Sequence, residues 1–237
     1  MRNAKKVKAT NHQRATVGSI PQSHARKQLS KDIGNLVPID TVGHNSQLIY
    51  LDGDIGKFLH AVERKEYALV LRGVKGAGKT RFLYQLMNAF AKKQFKVAYF
   101  SLEIDRNSKL VKSMTDAYIQ KGYQPKVYIT SDAPNGIQDI RKAAKQFDVV
   151  AIDSFSKIKG VKQEDFDKLR KDFPNTFFLI IFQSTTSGTA RGGMMSEYDA
   201  QAVIQIEKGG IAVAEKNRYS EGEDYKYSVF DEEIIDG

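Results

Sequence analysis

The chain has 237 residues, enough for one α/β domain with a full core and too few for two such domains with linkers. It holds no cysteine, which excludes a disulfide framework and any thiolate zinc site, and His12, His24, His44 and His60 are too scattered to form a metal constellation. The net charge of +9 is unevenly placed, because residues 1–31 carry eight Lys and Arg and no acid, leaving 29 basic against 28 acidic residues elsewhere.

Residues 1–40 form a basic arm rich in Asn, Gln, Ser and Thr. Such a segment buries too little apolar surface to offset its ordering entropy, so disorder is expected in isolation. The arm is drawn to nucleic-acid phosphate in a salt-dependent way. A solubilising tail, a contact with an acidic partner and a targeting peptide are the alternatives. The compositional boundary at 35–45 places a single folded domain at 41–237. No apolar run reaches the length of a membrane span and the start leads into no hydrophobic segment, so the expectation is a cytoplasmic protein without membrane contact.

Ile55, Phe58, Leu59 and Val62 fall at i, i+3, i+4 and i+7 and predict an amphipathic helix. Tyr67–Leu71 then reads as a buried strand. Gly73-Val74-Lys75-Gly76-Ala77-Gly78-Lys79-Thr80 follows it and matches G-x-x-x-x-G-K-[ST], and Phe82, Leu83, Leu86, Met87 and Phe90 recur at helical spacing behind it. Strand, loop and helix are the setting a phosphate-binding loop requires. Its glycines let backbone N–H groups curl around phosphates, Lys79 brings an ammonium to the β/γ oxygens, and the Thr80 hydroxyl can ligate magnesium. ATP and Mg²⁺ are the implied ligands.

A second strand is predicted at Lys96–Leu102, a helix through Leu110, Met114 and Tyr118 stopping near Gly122, a strand at Val127–Ile129, and a helix through Ile137, Ile140 and Ala144. Phe147–Ile152 reads as a central strand ending at Asp153. Phe166, Leu169 and Phe173 mark a charged helix with one apolar face. Phe177–Phe182 is apolar on both faces, as in the interior of a mainly parallel sheet. From Gln201 onward, Ala202–Ile206, Ile211–Ala214 across a Gly209-Gly210 turn, and Tyr225–Phe230 read as an antiparallel extension. The whole describes an α/β P-loop fold.

Hydrolysis needs a held metal, an oriented water and neutralised phosphoryl charge. Asp153, ending an apolar strand, is the candidate to share the metal with Thr80; an Asp capping the next turn is the alternative. Glu103 stands open between a water-activating base and a surface carboxylate. Gln183 can hydrogen-bond the γ-phosphate or the water, or is a solvated strand-end amide. Ser184–Gly193 is a long polar, glycine-rich loop and a second candidate contact for DNA. Lys216 and Arg218, placed after an edge strand, reach no phosphate loop of their own and would act as fingers on a neighbour's ATP, or form a solvated basic turn.

Four segments carry a family resemblance: Gly73–Thr80, Phe100-Ser101-Leu102-Glu103, Val149–Ser154, and the stretch from Phe182-Gln183 through Ala190–Gly193 to Lys216-Asn217-Arg218-Tyr219. Over residues 45–230 the chain resembles the RecA-like ATPase core shared by DnaB-type replicative helicases and the recombination ATPases RecA and RadA, and it is similar to compact RecA-like proteins of phages and mobile elements. The resemblance implies Glu103 as the base, Gln183 as the γ-phosphate sensor, and Lys216 and Arg218 acting across the interface of a ring or filament. The zinc and protease-like modules of RadA and the helical amino-terminal domain of DnaB have no counterpart here, and Ser220 stands where the RadA motif has glycine. The implied function is ATP hydrolysis coupled to single-stranded DNA in replication or recombination, with a protein partner of that machinery; an ATP-dependent assembly switch without translocation is the alternative. A small-molecule kinase would share the phosphate loop but leaves Glu103, Gln183, Lys216 and Arg218 without roles.

Overall fold

Alternating side chains on each central strand pack on opposite faces of one sheet, and both faces are apolar. In the computed structural model, which describes residues 36–43, 46–182, 199–220, 222 and 225–235, this divides the core into two layers. The unit 46–237 contains, in order, β1 (Leu48–Tyr50), α1 (Gly53–Leu59), β2 (Ala61–Glu63), β3 (Ala68–Arg72), α2 (Lys79–Lys92), β4 (Val97–Ser101), α3 (Lys109–Tyr118), β5 (Val127–Thr130), α4 (Ile137–Ala144), β6 (Val149–Asp153), α5 (Gln163–Asp172), β7 (Phe177–Ile181), β8 (Ala202–Ile206), β9 (Ile211–Asn217), β10 (Lys226–Ser228) and β11 (Glu233–Ile235). The unit 1–45 is described only at 36–43, where Ile39–Thr41 forms one 3₁₀ turn.

Among the described residues nine strands form one sheet in the order β11-β10-β9-β8-β3-β7-β6-β4-β5, and β1 pairs separately with β2. From β8 to β5 neighbouring strands are parallel, and β9, β10 and β11 continue the sheet antiparallel. Leu69, Leu71, Tyr99, Val149, Ala151 and Leu179 point to the face covered by α1 and α2, where Phe82, Leu86 and Phe90 are fully buried. Each of these large side chains contributes about 1.5–3 kcal/mol over an exposed position. Val70, Ala98, Val150, Ile152 and Ile180 point the other way, onto Ile140 and Ala144 of α4 and Phe166 and Leu169 of α5.

Several sequence expectations change in detail. The first helix ends at Leu59, where His60 turns through a positive φ of 55°, and Val62 belongs to β2. In α3 it is Val111 that is buried, while Leu110 is 54% exposed; the Ser108 hydroxyl starts this helix by accepting from Val111 N–H at 3.2 Å. The strand β9 runs on to Asn217 and is flanked by β10 at Ile211–Val213, so Lys216 lies within the strand, paired with Val203 of β8. The pairs β1–β2 and the last strand β11 have no counterpart in the sequence reading. Among the described residues no helix is long and apolar enough to cross a membrane.

Candidate active site at the phosphate loop

The loop 73–80 leaves the C-terminal end of β3 between β8 and β7. Gly73 has φ +146° and passes so close to β8 that a Cβ there would stand 2.3 Å from the Ile206 carbonyl oxygen, which glycine alone avoids. Gly78, also at positive φ, precedes the first turn of α2. Lys79 Nζ donates to the Gly73 carbonyl at 2.8 Å and the Val74 carbonyl at 2.9 Å, so the loop holds its own ammonium in place. Burial lowers the Lys79 pKa, and the carboxylates of Asp153 and Glu103 oppose that shift.

Parallel pairing sets Ser101 of β4 beside Asp153 at the end of β6, and so brings Glu103 to the same sheet end. The Thr80 hydroxyl donates to Asp153 Oδ2 at 2.7 Å, and the Ser154 hydroxyl donates to Glu103 Oε1 at 2.7 Å. The Asp153–Ser154 peptide is cis. Asp153 is 4% exposed, and burial pushes its carboxyl up to about 6; the Glu103 charge adds to the shift, while the Thr80 hydrogen bond and Lys79 oppose it.

Lys79, Thr80, Glu103 and Asp153 line one open cavity of about 1000 Å³ with Gly73, Lys75, Gly76 and Gly78. Ala77 is buried beneath the loop, and Val74 is exposed at its tip. A hard cation that keeps several waters and phosphate oxygens needs only one or two protein oxygens, and the adjoining Thr80 hydroxyl and Asp153 carboxylate supply them. Among the described residues no group of three His, Cys, Asp or Glu is placed to hold a metal ion.

The remaining site candidates separate. Gln183, the Ser184–Gly193 loop and residues 1–35 of the arm lie outside the described residues. Lys216 pairs with Val203, level with Val70, and Arg218 N–H bonds to the Gln201 carbonyl, level with Ala68 at the start of β3. Arg218 therefore stands at the sheet end opposite the phosphate loop, about 13 Å along the strand from Arg72. Asn217, between the two cations, donates from Nδ2 to the Leu59 carbonyl at 2.9 Å and pins the end of α1 to β9. Burial and the Arg218 charge lower the Lys216 pKa, opposed by Asp199.

The sequence reading missed Ser154 as the partner of Glu103, and it missed Arg81, Tyr84, Tyr99, Leu110 and Phe230 in the cavity lining. Arg81 directly follows the motif and Phe230 follows a strand, but no spacing rule joins two residues so far apart.

No protein-family model and no curated protein sequence matches the chain. Solved structures do. The flagellar accessory protein FlaH from Methanocaldococcus jannaschii superposes with a TM-score of 0.56 at 15% identity, over 76% of this chain and 94% of that one. A KaiC-like protein from the hyperthermophilic archaeon Pyrococcus horikoshii OT3 superposes with a TM-score of 0.56 at 19% identity, over 72% of this chain and 89% of that one. The fold is thus the α/β P-loop NTPase fold of RecA-like type, a mainly parallel sheet flanked by helices and extended by antiparallel C-terminal strands.

Proposed function

We propose that the chain binds ATP with magnesium and hydrolyses it, and the observation that carries this reading is the convergence of Lys79, Thr80, Asp153 and Glu103 on one cavity. Lys79 exchanges its two loop carbonyls for the β/γ-phosphate oxygens. Thr80 and Asp153 are the residues to hold magnesium, which when bound neutralises charge building on the phosphoryl oxygens. Glu103, oriented by Ser154, takes a proton from the attacking water as its oxygen bonds to the γ-phosphorus and the bond to the β-bridging oxygen breaks. Gln183 senses the γ-phosphate in this scheme, and Lys216 and Arg218 of one copy serve the site of the next in a ring or filament.

The use made of hydrolysis is a second layer of the proposal. The uneven charge supports action on single-stranded DNA, held by the basic arm and the Ser184–Gly193 loop, in replication or recombination, as a compact core of the phage or mobile-element kind. A nucleotide-ordered assembly switch that reads a protein partner is favoured by the superposition on a flagellar accessory protein.

The test is the ATPase rate of the full chain with and without single-stranded DNA, repeated on a chain lacking residues 1–35. Stimulation by DNA, with a weaker and less salt-dependent DNA affinity after deletion, supports the DNA reading. Turnover indifferent to DNA, together with a nucleotide-dependent complex between a persistent monomer and a protein partner, supports the switch. No magnesium-dependent ATP turnover or binding at all would sink both.

A further inference from the structure

Beyond the phosphate end, the lining changes character. Arg81, in the first turn of α2, lays its guanidinium over the Phe230 ring at 4.5 Å from the centroid, and over the Tyr118 ring at 5.6 Å on its other contact. Phe230 is 43% exposed, unlike the core aromatics, and borders the same cavity as Lys79. Its position is built: a Cβ on Gly210 would stand 2.7 Å from Phe230 Cε2, so the ring lies tight against the bare backbone there. The turn that carries it is held by Val229 N–H on the Gly210 carbonyl at 2.8 Å and by Gln85 Nε2 on the Val229 carbonyl at 2.8 Å. Leu110, Val111 and Met114 of α3 supply apolar lining to the cavity.

A nucleoside triphosphate has one planar, weakly polar part, its base. At Arg81 and Phe230 this lining offers a flat cation and a flat aromatic, and arginine planes and aromatic rings both stack on bases. Resting on the ATP-binding reading above, we propose that Arg81 and Phe230 form the stacking platform for the nucleobase, and that the site holds the base by its flat face, accepting ATP and GTP alike. Stacking is tolerant of base identity because every base has a π-face. The neighbouring side chains of Leu110, Val111 and Met114 add contact area without reading a base edge by strong hydrogen bonds.

Calorimetric titration of the full chain with magnesium salts of ATP, GTP and inorganic tripolyphosphate tests this. ATP and GTP should bind within about threefold of each other, and each roughly tenfold or more tighter than tripolyphosphate. Phe230→Ala should weaken both nucleotides about tenfold, leave tripolyphosphate unchanged and keep the thermal midpoint, and Phe230→Trp should restore nucleotide affinity. The inference is overturned if Phe230→Ala leaves ATP affinity intact, if it weakens tripolyphosphate equally, or if ATP exceeds GTP by more than about thirtyfold, the mark of edge recognition. Failure of tripolyphosphate and nucleotides alike removes the phosphate-loop reading first, and this inference with it.

Discussion

The Ser154 hydroxyl donates to Glu103 Oε1 at 2.7 Å, and through that bond the strand that presents Asp153 also aims the proposed base. Glu103 is itself exposed and two residues beyond its strand. Ser154→Ala should lower kcat about tenfold while leaving KM for ATP nearly unchanged, since a misaligned base costs rate and not ground-state binding. Glu103→Gln should cost roughly 10²–10⁴ in kcat with nucleotide affinity retained. Steady-state kinetics with direct nucleotide titration check both, and an equal loss of binding would make Glu103 a structural residue.

Asp153 couples function to stability through its raised carboxyl, near 6 against an ordinary 3.8. The folded state holds a proton there that the unfolded state has already released, so this group's contribution is full below about pH 4 and lost as pH rises through 6. Metal needs the ionised form, so magnesium–nucleotide affinity should fall as pH drops through about 6. Asp153→Asn removes the buried charge and keeps an acceptor for Thr80. It should raise apo stability by up to about 2–3 kcal/mol at pH 8 and abolish magnesium-dependent binding. Thermal melts at pH 5 and pH 8, with and without Mg·ATP, check the pair of effects; a destabilised variant at pH 8 would refute the charge penalty.

Lys79→Ala loses the proposed phosphate contact and both bonds from Nζ to the loop carbonyls of Gly73 and Val74. The expected outcome is loss of turnover, with tripolyphosphate affinity reduced at least about tenfold. Calorimetry decides it, and retained tripolyphosphate binding would place the anion elsewhere.

The architecture was legible where periodicity is strong. Phe177–Ile181, apolar throughout, could only be an interior strand, and the spacing of Phe82, Leu86 and Phe90 could only be a helix facing the sheet. The phosphate loop declared itself because eight consecutive residues carry its chemistry. What stayed hidden depends on long-range register. Ser154 meets Glu103 only because β4 pairs with β6, and Phe230 meets Arg81 only because the C-terminal turn folds back over Gly210. The placing of β9 has the same origin, since the strand read at Tyr225–Phe230 shows nothing in its own residues of its pairing with Ile211–Val213 of β9.

Asn217 separates the fold from the function of its neighbours. Asn217→Ala should cost about 1–2 kcal/mol of stability by leaving the Leu59 carbonyl without its amide donor. Arg218→Ala, at an exposed position, should leave the melt within roughly 0.5 kcal/mol of wild type. If Arg218 serves a neighbour, mixing Arg218→Ala with Lys79→Ala should recover ATPase activity that neither has alone, because mixed contacts pair an intact loop with an intact arginine. No recovery in co-assembled mixtures would return Arg218 to a solvated turn.

The placement of Arg218 beside Gln201, at the far end of the sheet from Gly73, gives the molecule a front and a back. A twofold contact would pair each copy's arginine with the other's loop reciprocally and close as a dimer. A head-to-tail contact that joins these ends instead has polarity. If it closes, every loop is served; if it stays open, one terminal copy holds a loop without an incoming arginine and the other an arginine without a loop, so growth and hydrolysis differ at the two tips.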